Sequence, residues 1–106
     1  MATSQEFLEF VCEQLNGAGN LRYRKMFGEY MIYINEKPVV LVCDNTVFIK
    51  KLSQLSDVMQ NSECGYPYDG AKEHYILDID DAQEAKKIVR IAEAATPTPK
   101  RKSRNK

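Results

Sequence analysis

Apolar residues fall along this chain in two periods, and the change from one to the other sets out its architecture. Over residues 4–16, Phe7, Leu8, Val11, Cys12 and Leu15 recur at helical spacing and make one stripe, which predicts a first helix. Thr3 with Glu6 has the spacing of a capping box, and Ser4 is a rival cap. Gly17-Ala18-Gly19 ends the helix, because glycine tolerates the left-handed backbone of a C-terminal cap. From Leu21 the pattern becomes strand-like. The residues predict strands over 21–27, 30–34, 38–43 and 47–50, rich in β-branched and aromatic side chains. Asn35-Glu36-Lys37 and Asp44-Asn45-Thr46 separate the later ones, and connections this short argue for antiparallel hairpins, since parallel strands need a long crossover. Pro38 is placed at the start of its strand, where losing one donor is tolerated.

Helical spacing returns over 53–60, with Leu55, Val58 and Met59 on one side of a predicted second helix. Residues 61–71 contain Gly65, Pro67 and Gly70 and read as a loop. Residues 74–79 read as a fifth strand. A third helix is expected over 81–95, capped by Asp80 and striped by Ala82, Ala85, Ile88, Val89 and Ala92. The predicted order is α-β-β-β-β-α-β-α, an α+β fold with an antiparallel sheet and helices packed on it. Tyr30, Ile32 and Ile34 point to one side of their strand, Met31 and Tyr33 to the other. Val39, Leu41 and Cys43 likewise oppose Val40 and Val42. Both faces of the sheet centre are therefore apolar, which calls for a cover on the second face. The second helix or another copy of the chain would serve, and cover from within the domain is the expected arrangement.

The length of 106 residues suits one domain, expected at residues 1–95, with a core that needs neither disulfide nor metal. Cys12, Cys43 and Cys64 are too few and too scattered for a disulfide framework, and with a single histidine, His74, no structural metal or cofactor is expected. The opening residues lack the basic and apolar regions of a signal peptide, and no apolar run approaches a membrane span, so the expected compartment is the cytoplasm, with no membrane partner. The net charge of zero hides a split. Lys100, Arg101, Lys102, Arg104 and Lys106 are the charged residues after Thr96; the other ten basic residues face all 15 acidic ones, so the body is near −5 and the tail near +5. The tail, 96–106, has no large apolar side chain and is expected to be disordered. Its five cations suit weak, salt-sensitive, non-specific attraction to nucleic acid, which reads no bases.

The segment Arg22-Tyr23-Arg24-Lys25-Met26-Phe27-Gly28 interleaves cations with rings, which fits a nucleic-acid surface or, more plainly, an edge strand guarded by long basic side chains. The run Gly65-Tyr66-Pro67-Tyr68-Asp69-Gly70-Ala71-Lys72 could cradle a phosphate, but it lacks the Gly-Lys-Ser/Thr ending of a P-loop. The simpler reading is a structural loop with Tyr66 and Tyr68 packed at its base. Cys64 and His74 are the one pair able to act as thiol and base, across that loop; no enzyme is expected.

Three ordered segments carry a family resemblance. They are Arg24-Lys25-Met26-Phe27-Gly28 followed by the apolar strand with Tyr33; residues 35–50, with Lys37-Pro38-Val39, Asp44-Asn45 and Phe48-Ile49-Lys50; and Gly65 to Lys72. Together they resemble the N-terminal domain of the TfoX/Sxy competence-regulator family. The resemblance implies a two-layer, secretion-chaperone-like domain and a link to the control of DNA-uptake (competence) genes, with no catalytic residues. Full-length regulators of that family carry a second, helical domain, where this chain has only its tail, so a short single-domain member is implied. The function expected is a regulatory or adaptor protein working through contacts with a protein partner or as a homodimer. Arg22, Arg24, Lys25, Tyr33, Tyr66, Tyr68 and Lys72 are the candidate contact residues. The alternative is a small nucleic-acid binder using Lys100, Arg101, Lys102, Arg104 and Lys106.

Overall fold

The computed structural model describes residues 3–26 and 29–96. Phe27, Gly28 and the basic tail from residue 97 lie outside the described residues, and with them the expectations attached to them. The elements are α1 (Gln5–Gln14), β1 (Leu21–Met26), β2 (Glu29–Ile34), β3 (Lys37–Cys43), β4 (Thr46–Lys50), a 3-10 turn (Ser53–Leu55), β5 (Cys64–Gly65), β6 (His74–Ile76) and α2 (Ala82–Ala95). The strands form one open sheet in the order β1-β2-β3-β4-β6-β5, and every adjacent pair is antiparallel. The α+β class and the order of elements stand as read from the sequence.

Local chemistry explains the elements. Ser4 wins the capping contest: its hydroxyl accepts the Phe7 N–H at 3.1 Å. Thr3 is buried instead, its hydroxyl donating to the Glu29 carboxylate at 2.6 Å while accepting the Asn45 N–H at 3.2 Å. It thus ties the start of α1 to the β3–β4 turn. Both tight hairpins use two consecutive positive-φ residues, Asn35 (53°) with Glu36 (69°) and Asp44 (52°) with Asn45 (53°). Those are the paired left-handed conformations whose twist matches the flanking strands, and asparagine and aspartate adopt them at low cost. The pairing register shifts between Ile32 and Tyr33, next to Pro38, so a bulge accommodates the missing donor inside a central strand.

Four details differ from the sequence reading. The second helix is only a 3-10 turn followed by further turns, held by Leu55 N–H to Leu52 O (2.9 Å) and Met59 N–H to Leu55 O (2.9 Å). Serine and aspartate at 53, 56 and 57 compete for backbone partners, and a segment this short cannot offset helix nucleation. The predicted loop 61–71 contributes the two-residue strand β5. Asp81, not Asp80, caps α2, accepting the Glu84 N–H at 3.1 Å, because the Asp80 N–H turns back onto the Asp78 carboxylate. β6 ends at Ile76, although the Leu77 N–H still donates to Val47 O at 2.9 Å.

The core lies between one sheet face and the helices. Leu8 and Val11 of α1 with its C-cap Leu15, Ala85, Ile88, Val89 and Ala92 of α2, Leu55 of the 3-10 turn and Met59 after it join Tyr30, Ile32, Ile34, Val40, Val42, Val47 and Ile49 in one buried cluster. Lys37 fastens β3 to the end of α2, with Nζ 3.0 Å from the Glu93 carboxylate and 3.0 Å from its carbonyl oxygen. The hydrogen bond from Lys37 is the main cause that holds the Glu93 carboxyl below its ordinary range. No helix of the described residues is long and apolar enough to cross a membrane.

Candidate functional site

All helical elements belong to one cluster, so the other sheet face carries no helix among the described residues. This corrects the expectation that the second helix would cover it: the 3-10 turn packs on α2, on the same side as everything else. Register assigns the open face. Met31 pairs with Leu41, Leu41 with Phe48 and Phe48 with Ile76, so these four side chains stand in a row across β2, β3, β4 and β6. Met31, Leu41 and Ile76 are partly exposed and Phe48 is buried among them. A dimple of about 30 Å³ opens between Met31, Pro38, Leu41, Phe48, Lys50 and His74. That is room for about one water and far below a small-molecule site.

The candidate contact residues fall into separate groups around this face. Arg22 and Arg24 project onto it from β1, opposite Tyr33 and Met31, whereas Lys25, opposite Tyr30, projects to the helix side. The Arg22 guanidinium lies 4.4 Å from the centre of the Tyr33 ring and donates to Glu36 through Nε (3.0 Å) and a terminal nitrogen (2.9 Å). The Glu36 hydrogen bond raises the Arg22 pKa further. Arg22 is thereby stacked and neutralised, leaving Arg24 as the open-face cation of β1. β1 is an edge strand, exposed from Arg22 to Met26, as the plainer reading of its basic residues has it.

Tyr66, Tyr68 and Lys72 belong to the loop that joins β5 to β6 at the opposite edge, where β5 lies about five strand spacings or ~24 Å from β1. Tyr66 and Tyr68 are 65% and 62% exposed, so they do not pack the base of their loop as the sequence suggested. Residues 65–72 do not line the dimple on the open face. The sequence reading put Met31 with Tyr33, and Leu41 with Val39 and Cys43, on one side of their strands, but had no means of telling which side is the core or of finding Phe48 and Ile76 as neighbours.

Cys64 and His74 do not form a dyad. Cys64 pairs with Tyr75 and His74 with Gly65, so the thiol and the imidazole project from opposite faces of the sheet. The His74 Nδ1 is engaged with Lys72 O at 2.7 Å. Burial pushes the Cys43 thiol up to about 11, and burial with Glu9 nearby raises Cys12, while Cys64 is exposed. Native protein treated with iodoacetamide near neutral pH is expected to be carboxamidomethylated at Cys64 first and at Cys43 only after unfolding. Peptide mass mapping of a time course checks this, and early labelling of Cys43 would contradict its burial.

The chain matches the model of the TfoX N-terminal domain over residues 13–96. It is also similar to the "Uncharacterized 12.7 kDa protein in trpE 5'region" of Spirochaeta aurantia, with 36% identity over 109 residues covering 100% of this chain and 95% of the relative. The matched span takes in the whole sheet and α2, the elements that create the open face. The chain therefore belongs to the TfoX N-terminal domain family.

Proposed function

We propose that this protein is a non-enzymatic, TfoX-like regulatory adaptor that acts through protein contacts on its helix-free sheet face, in the control of DNA-uptake genes. The observation that carries the reading is the row Met31, Leu41, Phe48 and Ile76 on a face that no helix covers. A contiguous apolar surface of this kind marks a docking site more often than scattered exposed residues do. A second copy of the chain is the occupant we favour. Six strands of two to seven residues, averaging about 16 Å at ~4.8 Å spacing, offer roughly 450 Å² per copy, so a face-to-face pair buries about 900 Å². That lies just below the size of standard specific interfaces and suits a weak, concentration-dependent dimer.

Sedimentation equilibrium over a concentration series is expected to show a monomer–dimer equilibrium for the native chain, and Leu41→Arg is expected to weaken it at least about tenfold by burying an unpaired charge. Unchanged far-UV circular dichroism would show that the variant remains folded, and Met31→Lys serves if Leu41→Arg does not. A native chain that stays monomeric at the highest concentrations, or a dimer indifferent to both substitutions, refutes docking on this face. Competence control is tested separately, by whether deletion of the gene changes transcription of DNA-uptake genes.

A further inference from the structure

A groove of about 620 Å³ opens on the helix side of the sheet, where the chain leaves β6 for α2. Buried Met59 and Leu77 contribute to its floor, and Glu63, Asp78, Asp80 and Glu84 bring four carboxylates to its lining, with no cation among the lining residues. None of the four has an ion-pair partner among the described residues. Four carboxylates without a cationic side chain beside them, around one concavity, focus an attractive field for a cation.

We propose that this groove docks the chain's own basic C-terminal segment, residues 97–106. Charge complementarity is the first argument. The segment holds five cations and no acid, against a body near −5. Reach is the second. Thr96 lies 12 residues past Glu84, which is ~18 Å along a helix rising 1.5 Å per residue. Ten extended residues span up to ~33 Å, so Lys100 to Lys106 bracket the distance back to the groove. Tethering is the third. A covalently attached segment is present at an effective concentration of roughly millimolar, so a foreign basic peptide must outcompete it. The aliphatic stems of lysine and arginine can lie over the apolar floor while their charges meet the rim. Ile76 is the one residue of the open-face row that also lines the groove, and the test reads the acidic groove amides, so this inference is tested separately from dimerisation.

The test is amide chemical-shift mapping of the full chain, native against a variant in which Lys100, Arg101, Lys102, Arg104 and Lys106 are all glutamine. The differences are expected to cluster at Glu63, Asp78, Asp80, Glu84 and their neighbours, and to shrink in 0.5 M salt as the Debye length shortens. A synthetic peptide of residues 97–106, added to the glutamine variant, is expected to restore the native shifts saturably, and about tenfold more weakly when Asp80→Lys and Glu84→Lys are also present. Asp80→Asn with Glu84→Gln is the fallback if the reversal unfolds the protein. Differences confined to the last turn of α2, a peptide that leaves the groove amides unmoved, or saturation elsewhere on the acidic surface would each overturn the proposal.

Discussion

Ile32→Ala is expected to lower the unfolding free energy by about 3 kcal/mol, with a fall of roughly 15 °C in Tm for a domain this size. Ile32 has no exposed surface. It pairs with Tyr23 on one side and Val40 on the other, and it faces the helices. Truncation removes the transfer free energy of three carbons and leaves a cavity that two strands and two helices cannot collapse to fill. The control is its chain neighbour Met31, which points to the other face and is partly exposed. Met31→Ala is expected to cost under about 1 kcal/mol when measured dilute. Thermal unfolding by circular dichroism, at matched low concentration, separates the two. Equal losses at both positions would mean that the two faces are not core and surface as described.

Gly19→Ala is expected to destabilise the protein by about 2–3 kcal/mol, unusually for an exposed residue. Gly19 has φ +155°, and a Cβ there would stand 2.7 Å from Ile34 Cγ2 and 3.1 Å from the Asn35 amide nitrogen. Ile34 is fully buried, so its methyl has nowhere to retreat. Asn35 is equally held: its side-chain oxygen accepts the Asn20 N–H at 2.9 Å, and its own N–H donates to Asn20 O at 2.8 Å. The substitution therefore pushes apart a latch between the end of α1 and the β2–β3 turn. Gly17→Ala, with φ +100° and nothing within 4 Å, isolates the backbone part and is expected to cost about 1 kcal/mol. In a double-mutant cycle, Ile34→Ala should recover part of the Gly19→Ala loss, with a coupling above about 0.5 kcal/mol. Additive losses would show that the clash is not with Ile34.

The hairpins were legible because two signals agree there. The apolar positions follow strand period, and Asn35 and Asp44-Asn45 supply residues that accept positive φ at the turns. The helix predicted over 53–60 shows the reverse case. Leu55, Val58 and Met59 were correctly picked as one apolar side, and Leu55 and Met59 are buried against α2, yet the backbone between them is turns. Side-chain spacing recorded the anchors and could not specify the hydrogen bonding, which tertiary packing decides. β5 left no local trace, since Cys64 and Gly65 become a strand only because β6 offers an edge.

The site was legible in half. Strand alternation revealed that both faces are apolar, but it carries no information about what lies over either. That depends on which side α1 and α2 return to, a property of connections rather than of strands. Arg22 and Tyr33 are separate candidates as a cation and a ring on neighbouring strands, and the fold stacks them on each other. Phe48 and Ile76 were missed because their adjacency is created across the segment 51–73, well beyond any local window.

The meander from β1 to β4 closes in chain order, the later two hairpins through two-residue turns, whereas β6 reaches β4 only after the excursion over residues 51–73. Closing a loop of that length costs about 2 kcal/mol more chain entropy than closing a two-residue hairpin. Leu55 and Met59 fall within the excursion, both sequestered from solvent. They divide one long closure into shorter ones, as tent pegs shorten a free span of rope, and so set how cheaply the far edge of the sheet is added.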